Sequence, residues 1–281
     1  MISPSEIARN FIDIGTSKTK VSSVKLLVLG LFAGMFIAFT GAGTVIASAT
    51  IDNPSVAKII MAFIFPGGLT MVMLAGSELF TGNSLIIISV LEKKTTLHSM
   101  LRNWCVVYLG NLIGSLFVTF LVVYSHTPSM FDGVLASQLV GIAQGKVGLS
   151  FADAFFRGIA CNILVCIAVW IAFAALTVPG KVIGLYLPIV VFVLCGFEHC
   201  IANMFYIPAG ILTAAEYGIA ADGLSWGSFL LNNLVPVTLG NILGGAGIVG
   251  CGYWFIYLRT SPGSKLSREE EQSRLNKAGD R

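Results

Sequence analysis

The sequence predicts an all-α integral membrane protein of six membrane-spanning helices, arranged as two inverted three-helix repeats with helices two and five broken. Three observations carry this. Of 281 residues, 56% are hydrophobic and only 11% charged, against about 25% charged in soluble domains. Six apolar stretches are long enough to cross a bilayer core, near 26–48, 58–91, 103–124, 151–177, 184–214 and 228–258. The segment 101-LRNWCVVYLGNLIGSL-116 also matches 231-LNNLVPVTLGNILGGA-246 at seven of sixteen positions, 130 residues apart.

Taken in order, residues 1–25 precede the first span. Within them 3-SPSEIARNFIDIG-15 reads as an amphipathic helix at the cytoplasmic surface. Ser3 caps it, Pro4 suits its first turn, Glu6 completes a capping box, and Gly15 is expected to end it. Ile7, Phe11 and Ile14 share one face, as in a helix lying on the membrane interface. No cleavable leader pattern is visible ahead of the first apolar run. Residues 26–258 form the pore domain. Spans two and five are too long for one straight helix, and each carries a polar interruption, 76-GSELFTGNS-84 and 195-CGFEHCIAN-203. Irregular backbone cannot face lipid, so both breaks are expected to be buried in protein or to line a watery path. Residues 259–281 form a charged tail, expected at the cytoplasmic surface.

The breaks repeat as spans three and six do, through Gly76-x-Glu78 and Gly196-x-Glu198, 120 residues apart. Three crossings per copy invert the second copy, a layout shared with aquaporin-type channels. Paired broken helices then put a permeation path at the repeat interface near the midplane. Gly30 and Gly34, Gly110 and Gly114, and Gly240 and Gly244 are each four apart, the spacing of close helix contacts. Asn111 and Asn241 directly follow two of these glycines and are expected to bond backbone freed at the breaks. Basic residues set the orientation. Fourteen lie at the N-terminus, the second and fourth loops and the tail; the other side holds only Lys58, Lys146 and Arg157. Both termini are therefore expected in the cytoplasm.

Ionisable groups near the midplane are few: Glu78, Glu198 and His199. Each is expensive there, so each is a candidate for function. An ionised glutamate in the path would repel an anion drawn to the half-helix amides. Glu78 and Glu198 are therefore expected to anchor the breaks, by capping or by pairing with a cation. His199 can donate a hydrogen bond when neutral, or a proton when charged. Other classes fall away. A net charge of +3 carries no nucleic-acid signal, and no phosphate loop or metal-ligand spacing is present. Only His199 of the three histidines lies in a span, which excludes haem held by two histidines in the membrane. The six cysteines sit in apolar stretches and read as packing residues. Neither enzyme activity nor a cofactor or metal is expected.

The segments 74-LAGSELFTG-82, 158-GIACNILVCIAVW-170, 196-GFEHCIANMFYIPAG-210 and 235-VPVTLGNILGG-245 resemble the formate/nitrite transporter family, which includes hydrosulfide channels. The resemblance runs from about residue 3 to 259. It implies a homopentamer in the cytoplasmic membrane with one aquaporin-like pore per protomer, carrying small inorganic or one-carbon anions of weak acids. His199 would be the central pore histidine. Leu79, Phe80 and Thr81 would lie in the broken loop at the cytoplasmic slit, and Leu69 and Phe192 would form the apolar constriction. Lys146 and Asn162 would attract or polarise the anion, and the N-terminal helix would be a lid. The hydrosulfide branch and formate are both compatible with these residues. Proton-coupled transport of the same anions is the main alternative. An aquaporin-like pore for neutral solutes is a weaker one, because the paired Asn-Pro-Ala motifs are missing.

Overall fold

The computed structural model describes residues 1–259, which form helices and short connections. The expected charged tail lies outside the described residues from 260 onward. Helix α1 (Pro4–Lys20) opens with Ser3 Oγ accepting the Glu6 amide. It does not end at Gly15. That glycine instead allows close docking, since a Cβ there would collide with the Ser89 hydroxyl, which donates to the Phe11 and Ile12 carbonyls. Ile7, Ala8 and Phe11 are buried, and Phe11 stacks on Trp170 with ring centres 5.2 Å apart. The apolar face of α1 thus packs on protein rather than on lipid headgroups.

Helix α2 (Ser23–Ser48) is the first crossing. The second begins with α3 (Pro54–Ile64) and α4 (Pro66–Ala75), joined at Phe65–Pro66, where proline removes a helix donor. After the break at 76–81 it resumes as a 3-10 turn (Gly82–Ile86) and α5 (Ile87–Leu91). The third crossing is α6 (Leu97–Tyr124). Then comes α7 (Val134–Val147), which apolar length alone does not announce. The fourth crossing is α8 (Phe151–Ala174), and the fifth is α9 (Val178–Leu194) and α10 (Cys200–Tyr217) on either side of residues 195–199. Last, α11 (Trp226–Ser228), α12 (Val235–Ile242) and α13 (Cys251–Tyr257) form one 32-residue rod, with π-helical turns at 229–234 and 243–250.

Five of these rods are long and apolar enough to span a membrane uninterrupted, and the broken α9–α10 pair adds to them. Large apolar side chains such as Phe117, Phe120, Ile183 and Phe255 face outward, as a lipid-facing surface requires. Contact between crossings is glycine-mediated in both halves. Gly30 and Gly110 meet between α2 and α6, and Gly158 and Gly240 meet between α8 and α12; a Cβ at any of the four would strike opposing backbone. The contacts of the first half recur in the second at offsets of about 120 to 130 residues. At one end of the bundle, the α1 face, α1 covers the start of α6 and the end of α8, near Arg102 and Ala174. At the other end, the α7 face, α7 lies near Ser48 and Asn233.

Candidate functional site

Each break starts with a glycine in the left-handed region, Gly76 at φ +77° and Gly196 at φ +67°, a conformation without steric cost only for glycine. The turn is closed by matched bonds: Ser77 N–H donates to the Val72 carbonyl at 3.0 Å, and Phe197 N–H to the Phe192 carbonyl at 3.1 Å. The chain then leans on a neighbouring crossing. Glu78 N–H donates to the Leu29 carbonyl at 3.2 Å, and Glu198 N–H to the Arg157 carbonyl at 3.3 Å. Two buried asparagines complete the backbone pairing. Asn111 Nδ2 donates to the Gly30 and Glu78 carbonyls while its Oδ1 accepts Phe80 N–H. Asn241 Nδ2 donates to the Gly158 and Glu198 carbonyls while its Oδ1 accepts Cys200 N–H. Backbone that would be orphaned in lipid is thus satisfied inside the protein.

Around each glutamate sits a polar cage. Glu78 pairs with Lys18 Nζ at 2.6 Å and accepts Asn83 Nδ2 at 2.7 Å; Asn83 in turn donates to Asn103, whose amide donates to the Lys18 carbonyl. Glu198 pairs with Lys146 Nζ at 2.8 Å and accepts Asn203 Nδ2 at 2.7 Å; Asn203 donates to Asn233, whose amide donates to the Lys146 carbonyl. Burial without these partners would be prohibitive for a carboxylate. Lys18, which in the sequence counts only towards topology, is therefore the counterpart of Lys146. The shared offset of 128 residues, which also relates Gly30 to Gly158, is the signal that pairs them.

Between the cages lies His199, 3% exposed, at the N-cap of α10. Its Nδ1 accepts the Ala202 amide at 3.2 Å, so that nitrogen presents a lone pair and the ring proton sits on Nε2. Nε2 is 2.9 Å from Thr81 Oγ1 at the tip of the other break, leaving the threonine hydroxyl proton available to a third group. Leu69, Leu79, Phe192 and His199 line a chamber of only about 10 Å³, which is apolar apart from the imidazole. That is about the room a single water needs. A funnel of about 340 Å³, lined by Lys146, Phe192, Glu198 and His199, approaches the chamber from the α7 face. A smaller recess of about 60 Å³ approaches from the α1 face, lined by Phe11, Lys18, Leu69 and Leu79.

Three predicted path residues do not line these cavities: Thr81, fully buried with its hydroxyl on His199, and Phe80 and Asn162. Phe80 turns its ring away, packing edge-on against Tyr108 (4.9 Å) and Trp104 (5.9 Å) in an apolar outer groove; its backbone amide is what the break uses. Asn162 is fully buried, and its Nδ2 is 2.6 Å from the Asn241 carbonyl and 3.1 Å from Ser84 Oγ. It ties the two repeats together, and its amide is not presented to either cavity.

The profile of the family described as Formate/nitrite transporter matches residues 5–255. The chain is 38% identical over 275 residues to a "Probable formate transporter" of Methanothermobacter thermautotrophicus, covering 92% of this chain and 97% of that one. It is 33% identical to "Formate channel FocA" of Escherichia coli K12 over 279 residues, 92% and 95% of the two chains. Among solved structures, a "Pentameric formate channel with formate bound" superposes with a TM-score of 0.75 at 37% identity, covering 84% of this chain and 98% of that one. An "FNT family ion channel" superposes with a TM-score of 0.81 at 26% identity, covering 89% and 98%. The chain belongs to the formate/nitrite transporter family.

Proposed function

We propose that this member of the formate/nitrite transporter family is a channel for small monovalent weak-acid anions, formate first, with nitrite and hydrosulfide as further permeants. One observation carries the reading: cavities from both faces converge on a chamber whose single polar side chain, among the described residues, is His199, hydrogen-bonded to Thr81. A bare anion in such a chamber loses hydration at a cost of several kcal/mol. A weak acid avoids that cost by crossing as its neutral form. The Lys146 and Lys18 cages draw the anion into each approach, and the His199 imidazole, hydrogen-bonded to the buried Thr81 hydroxyl, meets it at the narrowest point as a hydrogen-bonding group or, once it has taken up a proton from water, as a proton donor. Leu69, Leu79 and Phe192 exclude hydrated and larger ions.

That relatives are named formate channels supports formate ahead of hydrosulfide. One of the similar solved structures is a pentameric formate channel, which together with the outward apolar side chains supports a homopentamer in the lipid bilayer of the cytoplasmic membrane. The fourteen-to-three division of basic residues supports cytoplasmic termini, which makes the α1 face the cytoplasmic one. There α1 acts as a lid over the inner approach. Both buried carboxylates are held by lysines, which favours a channel over a proton relay built from Glu78 and Glu198. Flux of formate, nitrite and hydrosulfide into protein-containing liposomes, compared with glycerol and urea, tests the assignment. Selective passage of the weak acids is expected; passage of glycerol with exclusion of the acids would overturn it.

A further inference from the structure

All three basic residues assigned to the α7 side of the sequence line one cavity. Lys58 reaches it from α3, Lys146 from the last turn of α7 and Arg157 from the first turns of α8. The Lys58 ammonium lies over the left-handed turn of the break, 3.9 Å from where a Cβ on Gly196 would stand. Lys146 is paired with Glu198 at 2.8 Å; among the described residues neither Lys58 nor Arg157 has an ion-pair partner. Among the described residues Glu198 is the only carboxylate in the lining, so three positive groups against one negative leave a funnel charge of +2.

The α1 face shows that this charge is no requirement of the cage. At the repeat offsets of 128 and 120, the positions matching Arg157 and Lys58 are Leu29 and Val178. Leu29 accepts the Glu78 amide through its carbonyl, as Arg157 does for Glu198, so the backbone role is shared and the guanidinium is additional. Among the described residues the α1-face recess is lined by one cation, Lys18, and that is neutralised by Glu78.

We propose that Lys58 and Arg157 form an anion-capture site at the α7 mouth, ahead of the Lys146–Glu198 cage. It takes monovalent carboxylates and comparable small anions and makes the two mouths electrostatically unequal. Charge in a low-dielectric funnel raises the local concentration of counter-ions and their rate of association, an effect that salt screens over about 8–10 Å. The site sets how little external anion suffices for flux, and through which face. This rests on the channel reading above.

The test is formate uptake into right-side-out and inverted membrane vesicles, with external formate varied at low and high sodium gluconate. The wild type should half-saturate at lower formate when the α7 mouth faces the added anion, and that advantage should fade at high salt. In Lys58→Gln/Arg157→Gln the half-saturating concentration at the α7 mouth should rise about threefold or more. Its salt dependence should flatten, and uptake from the α1 mouth should keep its half-saturation. Lys58→Arg/Arg157→Lys should restore the wild-type value, which a merely structural role would not predict. Each single glutamine variant should show the same change at smaller size, so a double variant that fails to fold still leaves two tests. Unchanged half-saturation and salt dependence in the variants would overturn the capture site while leaving the channel reading intact. A wild type that passes no formate from either side would overturn the channel reading itself.

Discussion

Around Glu78 and around Glu198 the chain builds the same arrangement: a left-handed glycine, a carboxylate paired with a lysine, two linked asparagines, and a third asparagine bonding the loop backbone. At the tips of the two breaks the halves part. The residue after Glu78 is Leu79, whereas the residue after Glu198 is His199, and the cations beyond the second cage are matched by Leu29 and Val178 beside the first. Scaffolding is thus duplicated, because each break must bury the same exposed backbone. The imidazole is placed once, at the break that meets the narrow chamber.

If the scaffolding is equivalent, Asn111→Leu and Asn241→Leu should cost alike. Each strips three hydrogen bonds from buried backbone, a loss of about 2–4 kcal/mol or more, read as thermal unfolding in detergent. Strongly unequal losses would break the equivalence. The cages sharpen it further. Glu198→Gln and Glu78→Gln each leave a partly buried ammonium unpaired, at about 3 kcal/mol for a well-buried pair. The Lys18 side chain is 28% exposed against 17% for Lys146, so solvent screens it better and Glu78→Gln should be the milder variant. A smaller effect is expected from Gly15→Ala, whose methyl meets the Ser89 hydroxyl. About 1–2 kcal/mol of α1 docking should be lost, seen as faster proteolysis of the N-terminal segment with the pore domain intact. Smallest is Phe80→Leu, which removes two edge-on aromatic contacts worth about 1 kcal/mol. The order of permeant anions should not change, because the ring faces away from the chamber.

Much of this was legible in the sequence because the membrane makes polar residues rare and therefore informative. The two Gly-x-Glu breaks and the pair Asn111 and Asn241 stand out against apolar helices, and the structure puts both asparagines on the loop backbone. Lys18 was harder to see. It sits among other basic residues that serve topology, and its partner Glu78 is 60 residues away. Helix α7 escaped because fourteen residues of mixed polarity are too short for a span. Gly15 signals a helix end by propensity, but close packing on Ser89 overrides that preference. Phe80 and Asn162 share the path's sequence motifs while their side chains serve packing and the tie between repeats, a distinction that only side-chain direction reveals.

The proposed role of His199, hydrogen-bonded to the buried Thr81, is that of donor at the narrowest point. Formate influx into liposomes should therefore be followed from about pH 5 to 8 for the wild type and for His199→Asn. Wild-type flux should climb as the pH falls and the neutral acid becomes more accessible, while the asparagine variant, which can donate a hydrogen bond but no proton, should show a changed and flatter profile. Superimposable pH profiles for the two proteins would contradict a proton-donating role for His199.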